Sequence, residues 1–301
     1  MTFNAGEFLR REFQALDVRS VDRLGEGYDH VAFLVNDELV FRLPWSYVEP
    51  TEEGASTTIS TVGGEVAVLR RLAGRLPVAI PDPAFVAGDE TYFGYRYLPG
   101  RPLDDVDKGS DWPVTPQVFA DLIVDVALAI EEGVPVAQAG AFGLKELRPE
   151  TDGLRHAASA LGRGLLSPAA RAAGQCALET FVERWPRAAA SRLVTMHGDL
   201  ALEHWLLDER RRVYALIDWS DACIAPPELQ LSAVMWAGRD LVGTAASSYR
   251  DRTGHDVDVE LVIASGYVSA LGGIGELLEE DDPGNEDDLD DYVELLSRWS
   301  S

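Results

Sequence analysis

The chain has 301 residues, of which 46% are hydrophobic and 26% charged; this is typical of a soluble globular protein with one domain or two lobes. Its 51 Asp and Glu against 26 Lys and Arg give a net charge of −25, which disfavours nucleic acid as a partner and attracts cations. Two cysteines make no disulfide framework in a chain of this length, so a reducing compartment is expected.

The N-terminal segment mixes acidic and basic residues and has no apolar stretch of the kind found in signal peptides. We also expect no membrane span, because no apolar run approaches the about 20 residues that cross a bilayer. The sequence therefore predicts a cytoplasmic protein with no membrane partner. Residues 4–16 predict an amphipathic helix.

The first part of the chain predicts a sheet. Apolar and polar residues alternate from residue 21 to 44, interrupted by turn residues at 25–27 (the Gly turn) and 36–37, which predicts three strands. Residues 46–61 are polar and predict a mobile loop, residues 65–76 a helix, and residues 85–98 a second hairpin. Residues 1–98 are therefore predicted to form a β-rich N-lobe.

After a Pro- and Asp-rich linker that ends near residue 116, the pattern becomes mostly helical. Helices are predicted over 117–132, 150–163, 168–190, 227–241 and 257–279, with a strand pair at 205–208 and 212–217. Residues 99–301 are thus predicted to form a helical C-lobe, giving an α+β fold. A cleft between two lobes is a usual place for a ligand.

The segment from Glu276 to Glu294 contains no Lys or Arg. Such a segment is either a solvated pair of acidic helices or one wall of a cation-binding pocket. The sequence leaves both interpretations open.

Four polar residues in one short stretch predict phosphoryl-transfer chemistry: His197, Asp199, His204 and Asp218. This reaction needs a carboxylate that orients the attacking hydroxyl and accepts its proton, which Asp199 can supply. It also needs a carboxylate and a further ligand for the Mg²⁺ ion that bridges the phosphates, and Asp218 and His204 fit these roles. His197 is predicted to position the catalytic loop through hydrogen bonds. A hairpin at 206–214 would bring the two loops together.

These residues resemble the active-site pattern of a known family. HGDL at 197–200, then His204, then IDWSDA at 217–222 is similar to the pattern of the aminoglycoside phosphotransferases. The LGEGYD loop at 24–29 and His204 are most similar to the 2''-phosphotransferases, while macrolide phosphotransferases also carry His at that place. The resemblance implies a protein-kinase-like bilobal fold, an enzyme that phosphorylates an alcohol group, and a role in antibiotic resistance.

The resemblance also implies a nucleotide site in the N-lobe for ATP or GTP. Gly25 and Gly27 would allow backbone approach to the phosphates, and Arg42, paired with Glu65, would bind them. YRYLPG at 95–100 is similar to the family's hinge, which implies that the backbone near Arg96 and Leu98 holds the purine.

Several positions depart from the family pattern. Arg42 stands where Lys is frequent, His204 where Asn is frequent, Ala225 where the Asp of an Asp-Pro pair is frequent, and Gln230 where a later Asp is frequent. The Leu-His pair that is frequent near the end of the first C-lobe helix is also absent. A nucleotide-binding pseudokinase is therefore kept as an alternative to the enzyme.

The acceptor is predicted from charge and from the resemblance together. An aminoglycoside-like antibiotic fits an acidic chain, since carboxylates attract a polyamine sugar. Asp221, Trp236 and Asp240 are the candidate acceptor contacts. A macrolide, a peptide antibiotic or a metabolic alcohol remain alternative acceptors. His30, His156 and His255 have no partner spacing and are predicted to be structural or exposed.

Overall fold

The computed structural model describes residues 3–27, 30–48, 61–104, 114–148, 152–280 and 286–300. The chain divides into two compact units. The first comprises Met1–Pro113, Glu132–Lys145 and His197–Cys223, and the second comprises Val114–Glu131, Glu146–Met196 and Ile224–Ser301. Strands dominate the first unit and helices the second, so the chain is α+β. The lobe boundary at residue 98 stays a prediction.

The helices and strands are as follows, in chain order: α1 (Ala5–Glu12), β1 (Val21–Glu26), β2 (His30–Val35), β3 (Leu39–Pro44), α2 (Trp45–Val48), α3 (Val62–Leu72), β4 (Pro83–Val86), β5 (Phe93–Arg96), β6 (Arg101–Pro102), α4 (Pro116–Gly133), α5 (Val136–Ala139), α6 (Asp152–Gly162), α7 (Pro168–Ser191), β7 (Val194–Met196), β8 (Trp205–Leu207), β9 (Val213–Leu216), β10 (Cys223–Ala225), α8 (Pro227–Leu231), α9 (Val234–Ala237), α10 (Val242–Thr253), α11 (Val259–Glu280) and α12 (Glu286–Trp299).

The first unit is built on a five-stranded antiparallel sheet with the strand order β1-β2-β3-β5-β4. The predicted tight hairpin between β2 and β3 is present. The amide of Glu38 donates to the carbonyl oxygen of Val35 at 3.0 Å, and the residues between them, Asn36 and Asp37, have φ angles of 56° and 59°, as a type I′ turn requires. The second predicted hairpin, β4 and β5, forms the other edge of the sheet.

One face of this sheet is apolar because side chains alternate along each strand. Phe41 and Leu43 of β3 are fully buried and belong to a cluster with Phe8 and Leu9 of α1. The amphipathic helix α1 therefore covers this face.

The opposite face carries the polar residue Arg42. In the register of the sheet, Arg42 of β3 lies opposite Ala32 of β2 and Phe93 of β5. Helix α3 brings Glu65 to this side chain. The helix begins at a Thr61 cap, whose hydroxyl oxygen accepts the amide of Gly64 at 3.1 Å.

A second, three-stranded sheet has the order β6-β8-β9. Strands β8 and β9 form the predicted hairpin, with Trp205 opposite Leu216. Asp208 forms its turn by accepting the amides of Arg210 and Arg212, both at 2.9 Å.

The second unit has α11 as its central helix, which packs against α6, α7, α8 and α12. Helix α11 corrects the expectation about apolar runs: Val259–Glu279 is long and apolar enough, by length and composition, to cross a membrane. However, 61% of its most apolar stretch is buried inside the structure. This is the pattern of a core helix, which must be apolar on several faces because helices surround it.

The predicted helix over 227–241 is broken into pieces. Helices α8 and α9 are followed by a 3-10 turn over Arg239–Leu241. Gly238, which lies between α9 and this turn, has a φ of 152°. Helix α10, which follows, was not predicted by the sequence pattern. The segment contains helical turns as expected, but Gly238 redirects the chain after α9.

The two cysteines differ in environment, and neither forms a disulfide. Cys176 lies on α7 and is exposed, while Cys223 begins β10 and is fully buried. Burial, with a contribution from Asp221, raises the pKa of the Cys223 thiol to about 12.

Five predicted features extend beyond the described residues. Residues 28–29 of the LGEGYD loop, 49–60 of the polar loop, 105–113 of the linker, 150–151 of the helix predicted over 150–163 and 281–285 of the acidic segment lie outside them. Predictions that depend on these residues stay predictions.

Candidate active site

Two loops of the first unit meet at the end of the β8–β9 hairpin. The loop with Asp199 precedes β8, and the loop with Asp218 follows β9. The amide of Ile217 donates to the carbonyl oxygen of His204 at 2.9 Å, so the two loops begin side by side. The hairpin therefore brings together polar residues that are distant in sequence.

Gly198 permits a close approach between the loops. Its φ of 94° lies in the region that favours glycine, and a Cβ there would collide with the backbone carbonyl of Asp221. The glycine in HGDL is therefore needed for both its conformation and its missing side chain. The backbone of Asp221 therefore lies beside the loop that carries Asp199.

His197 is fully buried and positions the loop. Its Nδ1 accepts the amide of Asp199 at 3.3 Å, so Nε2 carries the proton and donates to the carbonyl oxygen of Ile217 at 3.1 Å. Burial is the largest cause that lowers the pKa of His197, to about 3, and the imidazole is neutral. Its ring packs on Trp219 with centroids 4.5 Å apart.

Asp199 combines an anchored oxygen with solvent access. Its Oδ1 accepts the amide of Ala201 at 3.2 Å, and its Oδ2 lies 3.5 Å from Nδ1 of His204. The side chain is 41% exposed, so a carboxylate oxygen is accessible to a small molecule.

His204 lies between the two carboxylates. Its Nδ1 is 3.3 Å from the carbonyl oxygen of Asp199, an acceptor only, so Nδ1 donates the proton. Its Nε2 then faces Oδ2 of Asp218 at 3.9 Å. Burial alone would lower the pKa of His204, but Asp199 and Asp218 outweigh it and raise the pKa.

Asp218 is fixed by its backbone and by two donors. Its φ of 59° is left-handed, a conformation that Asp tolerates better than most residues. Its Oδ1 accepts from Arg42 at 2.8 Å and from the hydroxyl of Ser220 at 2.9 Å. Burial opposes its charge, but Arg42, His204 and Ser220 outweigh burial and hold the pKa of Asp218 well below its usual range.

Arg42 connects the sheet to this loop. One terminal nitrogen lies 2.7 Å from Glu65 and the other 2.8 Å from Asp218. Burial opposes the charge of Arg42, but the two carboxylates outweigh it and raise its pKa. Glu65 is 2% exposed, and burial raises its pKa to about 7 against the attraction of Arg42. The sequence predicted the Arg42–Glu65 pair but not the contact with Asp218.

The other predicted nucleotide residues lie on the sheet and just after it. Gly25 and Gly27 are at the end of β1, and no atom approaches within 4 Å of a Cβ built at Gly25. Arg96 ends β5 with an exposed side chain, and Leu98 follows it half-buried. The amide of Tyr97 between them donates to the carbonyl oxygen of Glu38 at 2.8 Å.

Two residues beside Arg42 were not predicted as site residues. His30 lies opposite Pro44, which places it diagonally next to Arg42 on the same face of the sheet. Burial is the largest cause that lowers the pKa of His30 to about 4, and it raises that of Tyr95 to about 12. Only the strand register reveals these neighbours, so no sequence spacing could have found them.

Trp236 and Asp240 belong to the second unit, where they line a pocket of about 610 Å³. Its lining includes the apolar residues Met235, Trp236, Leu295 and Trp299 and the charged residues Arg239, Asp240 and Arg298. The indole of Trp299 donates to the carbonyl oxygen of Met235 at 3.0 Å, which joins α12 to α9.

Among the described residues, no group of three or more His, Cys, Asp or Glu side chains is placed to bind a metal ion. The pair of His204 and Asp218 nevertheless fits Mg²⁺, which takes few protein ligands when phosphates supply others. Oδ2 of Asp218 is an oxygen ligand, and Nε2 of His204, which lies 3.9 Å from it, would bind a metal ion only when unprotonated. Metal binding at His204 would compete with its protonation.

The sequence matches a family model over residues 20–261, described as the phosphotransferase enzyme family (APH). The chain belongs to this family. It is accordingly a phosphotransferase with an alcohol group as acceptor, which confirms the predicted enzyme class and the resemblance to the aminoglycoside phosphotransferases. No curated protein matches the chain.

Solved structures show the same fold. The GDP complex of wild-type aminoglycoside 2'-phosphotransferase-IIIa is similar at a TM-score of 0.64 and 21% identity, covering 98% of this chain and 96% of that one. The apoenzyme of macrolide 2'-phosphotransferase MphH from Brachybacterium faecium is similar at a TM-score of 0.55 and 20% identity, and the match covers 97% of this chain and 96% of that one. The streptomycin–ATP–APH(2")-IIa ternary complex is similar at a TM-score of 0.52 and 12% identity, and the match covers 98% of this chain and 99% of that one. The predicted kinase-like α+β fold is confirmed.

Proposed function

We propose that the protein transfers the γ-phosphoryl group of ATP or GTP to a hydroxyl of an aminoglycoside-like antibiotic in the cytoplasm. The observation that carries this proposal is the chain of contacts from Asp199 through His204 and Asp218 to Arg42, all within the first unit. These contacts bring together the Asp199 carboxylate for the acceptor hydroxyl, the His204–Asp218 pair for a metal ion and the Arg42 guanidinium for the phosphates.

Asp199 acts on the acceptor hydroxyl. Its anchored Oδ1 fixes the carboxylate, and its solvent access leaves an oxygen to orient the hydroxyl and accept its proton. His197 and Gly198 hold the loop in this conformation, so Asp199 needs no rearrangement before transfer.

Arg42 binds the phosphates of the nucleotide. A guanidinium has five N–H donors in a rigid fork, and its ion pairs with Glu65 and Asp218 orient this fork. Gly25 and Gly27 would let the backbone of the Gly turn approach the phosphates, and the backbone near Arg96 and Leu98 would contact the purine. The complexes of similar proteins with GDP and ATP support a nucleotide donor.

Asp218 and His204 would hold Mg²⁺. When bound, this ion neutralises charge on the phosphate oxygens during transfer. Ser220 and Arg42 orient Asp218 so that its Oδ2 faces His204. His204 in turn keeps its proton on Nδ1, toward Asp199.

The acceptor is proposed to be cationic because the chain carries a net charge of −25. Asp221 of the first unit would contact an ammonium group, whereas Asp240 and Trp236 of the second unit stay candidate contacts predicted from the sequence. An aminoglycoside complex of a similar protein supports this class: the GDP and kanamycin complex of APH(2")-IIia, at a TM-score of 0.62.

One observation favours a macrolide as the second candidate acceptor. The pocket of the second unit has an apolar wall of Met235, Trp236, Leu295 and Trp299, and two arginines also line it. An apolar acceptor fits this wall better than a polyamine does, because arginines repel ammonium groups.

The test is nucleotide consumption across a panel of aminoglycosides, macrolides and other hydroxylated antibiotics. Wild type should turn over with at least one class, and Asp199→Asn should lower kcat by about 10³-fold with an unchanged melting temperature. Equal turnover in the two proteins would contradict the role of Asp199, and no turnover on any acceptor would contradict the proposed substrate class.

A further inference from the structure

Trp45 makes a side-chain hydrogen bond to the Gly turn. It is the first residue of α2, and its indole Nε1 donates to the carbonyl oxygen of Gly27 at 2.9 Å. The amide of Gly27 donates to the carbonyl oxygen of His30 at 2.8 Å. Both backbone polar groups of Gly27 are therefore engaged, one by β2 and the other by Trp45.

Trp45 is itself positioned from two directions. The guanidinium carbon of Arg23, on β1, lies 5.3 Å from the centre of the Trp45 ring, within the range of a cation–π contact. Trp45 also directly follows β3, so only Leu43 and Pro44 separate it from Arg42. The indole thus joins β1, the Gly turn and the end of β3.

This connection matters because glycine gives the turn conformational freedom. A turn that moves freely must lose entropy when it closes on a ligand, and this loss weakens binding. A hydrogen bond that already holds Gly27 at a fixed distance from β3 reduces that loss. It also sets the position of the turn relative to the guanidinium of Arg42.

We infer that Trp45 is a positioning residue for nucleotide binding, which fixes the Gly turn over the phosphates that Arg42 binds. The inference rests on the proposed nucleotide function. It assigns Trp45 no contact with the reacting atoms. Trp45 should therefore affect nucleotide affinity and leave the transfer step itself largely unchanged.

The test is Trp45→Phe, which keeps an aromatic ring for Arg23 but removes the N–H donor. Loss of one neutral hydrogen bond should raise the KM and the Kd for nucleotide about fivefold, with kcat and the acceptor KM changed less than about twofold. Nucleotide Kd is measured by titration without acceptor, and melting temperature is measured without nucleotide. Arg23→Gln, which removes the cation but keeps the N–H donor, should give a smaller increase in Kd.

Trp185→Phe is the matched control, because Trp185 lies on α7 in the second unit and undergoes the same change of ring. Its nucleotide Kd should equal that of wild type. The change in tryptophan fluorescence on nucleotide binding should shrink in Trp45→Phe and persist in Trp185→Phe.

Four outcomes decide the question. A fivefold change in nucleotide Kd at an unchanged melting temperature supports the inference. An equal nucleotide Kd in Trp45→Phe and wild type overturns the inference about Trp45 but not the proposed function. A fall in stability that weakens acceptor and nucleotide binding alike also overturns only the inference. If the wild-type protein binds no nucleotide, the proposed function fails as well, so the two failures are distinguishable.

Discussion

Arg42 is the residue on which the site depends most, because it neutralises two carboxylates at once. Glu65 is 2% exposed and lies 2.7 Å from Arg42, while Asp218 lies 2.8 Å away on the other terminal nitrogen. Lys has one ammonium group and could not reproduce this two-sided geometry. Arg at this position, where the family often has Lys, therefore allows each terminal nitrogen to pair with a different carboxylate.

Removal of Arg42 should destabilise the protein. In Arg42→Ala the buried carboxyl of Glu65 loses its cation, which should cost about 3 kcal/mol in the free energy of unfolding, measured by urea denaturation. Adding Glu65→Leu should recover part of that loss without recovering turnover. If Arg42→Ala were as stable as wild type, the ion pair would contribute no stability.

His197 should make stability depend on pH. Its folded pKa of about 3 lies below the ordinary value of 6.5, so its contribution is present above pH 6.5 and lost as pH falls. Between about pH 7 and pH 5 the loss should reach about 2 kcal/mol. His197→Asn can still accept the amide of Asp199 and does not titrate. Urea denaturation at several pH values should show a flatter profile for this variant; parallel profiles would contradict the assignment.

At the scale of elements, the close approach of the two loops depends on Gly198. In Gly198→Ala the new Cβ meets the carbonyl of Asp221 and the φ of 94° becomes strained. We expect a loss of about 2 kcal/mol or more in unfolding free energy, together with lower kcat because Asp199 moves.

The matched control for this change is Gly243→Ala. Gly243 lies in α10 with open space around a built Cβ, so alanine should stabilise the protein by about 0.5 kcal/mol. Similar melting temperatures for the two variants would show that the approach of the loops imposes no constraint on Gly198.

The sequence predicted the elements whose signals are local. Alternation and the turn residues Asn36 and Asp37 predicted the β2–β3 hairpin, and the strand predicted at 212–217 placed Asp218 directly after a strand. The break at Gly238 was missed, since a continuous helical pattern does not show where a glycine redirects the chain. The position of His30 was missed because strand register depends on pairing between distant segments.

At the scale of the whole molecule, the net charge of −25 should govern the encounter with a cationic acceptor. Attraction between exposed charges weakens when the Debye length shortens, so the apparent KM for an aminoglycoside should rise severalfold from about 0.05 M to about 0.5 M salt. A macrolide, if accepted, should show a much smaller change and serves as the control. A KM for aminoglycoside that is independent of salt would contradict electrostatic attraction.

The candidate site draws on segments that are far apart in the chain. Arg42, Glu65, Asp199 and Asp218 come from four segments, yet all lie in the first unit. The motifs HGDL and IDWSDA predicted Asp199 and Asp218, and the resemblance to the family implied Arg42 and Glu65. Neither could predict that Arg42 contacts Asp218, since that contact depends on how the sheet packs against the β9 loop.

The contrast between the two cysteines has a practical consequence for labelling. A thiol must be accessible to react, so a maleimide dye should attach to exposed Cys176 and leave buried Cys223 intact. A colorimetric thiol count should give one group in the folded protein and two after denaturation. The protein thus provides one native attachment point on α7 for a fluorophore, without any engineered residue.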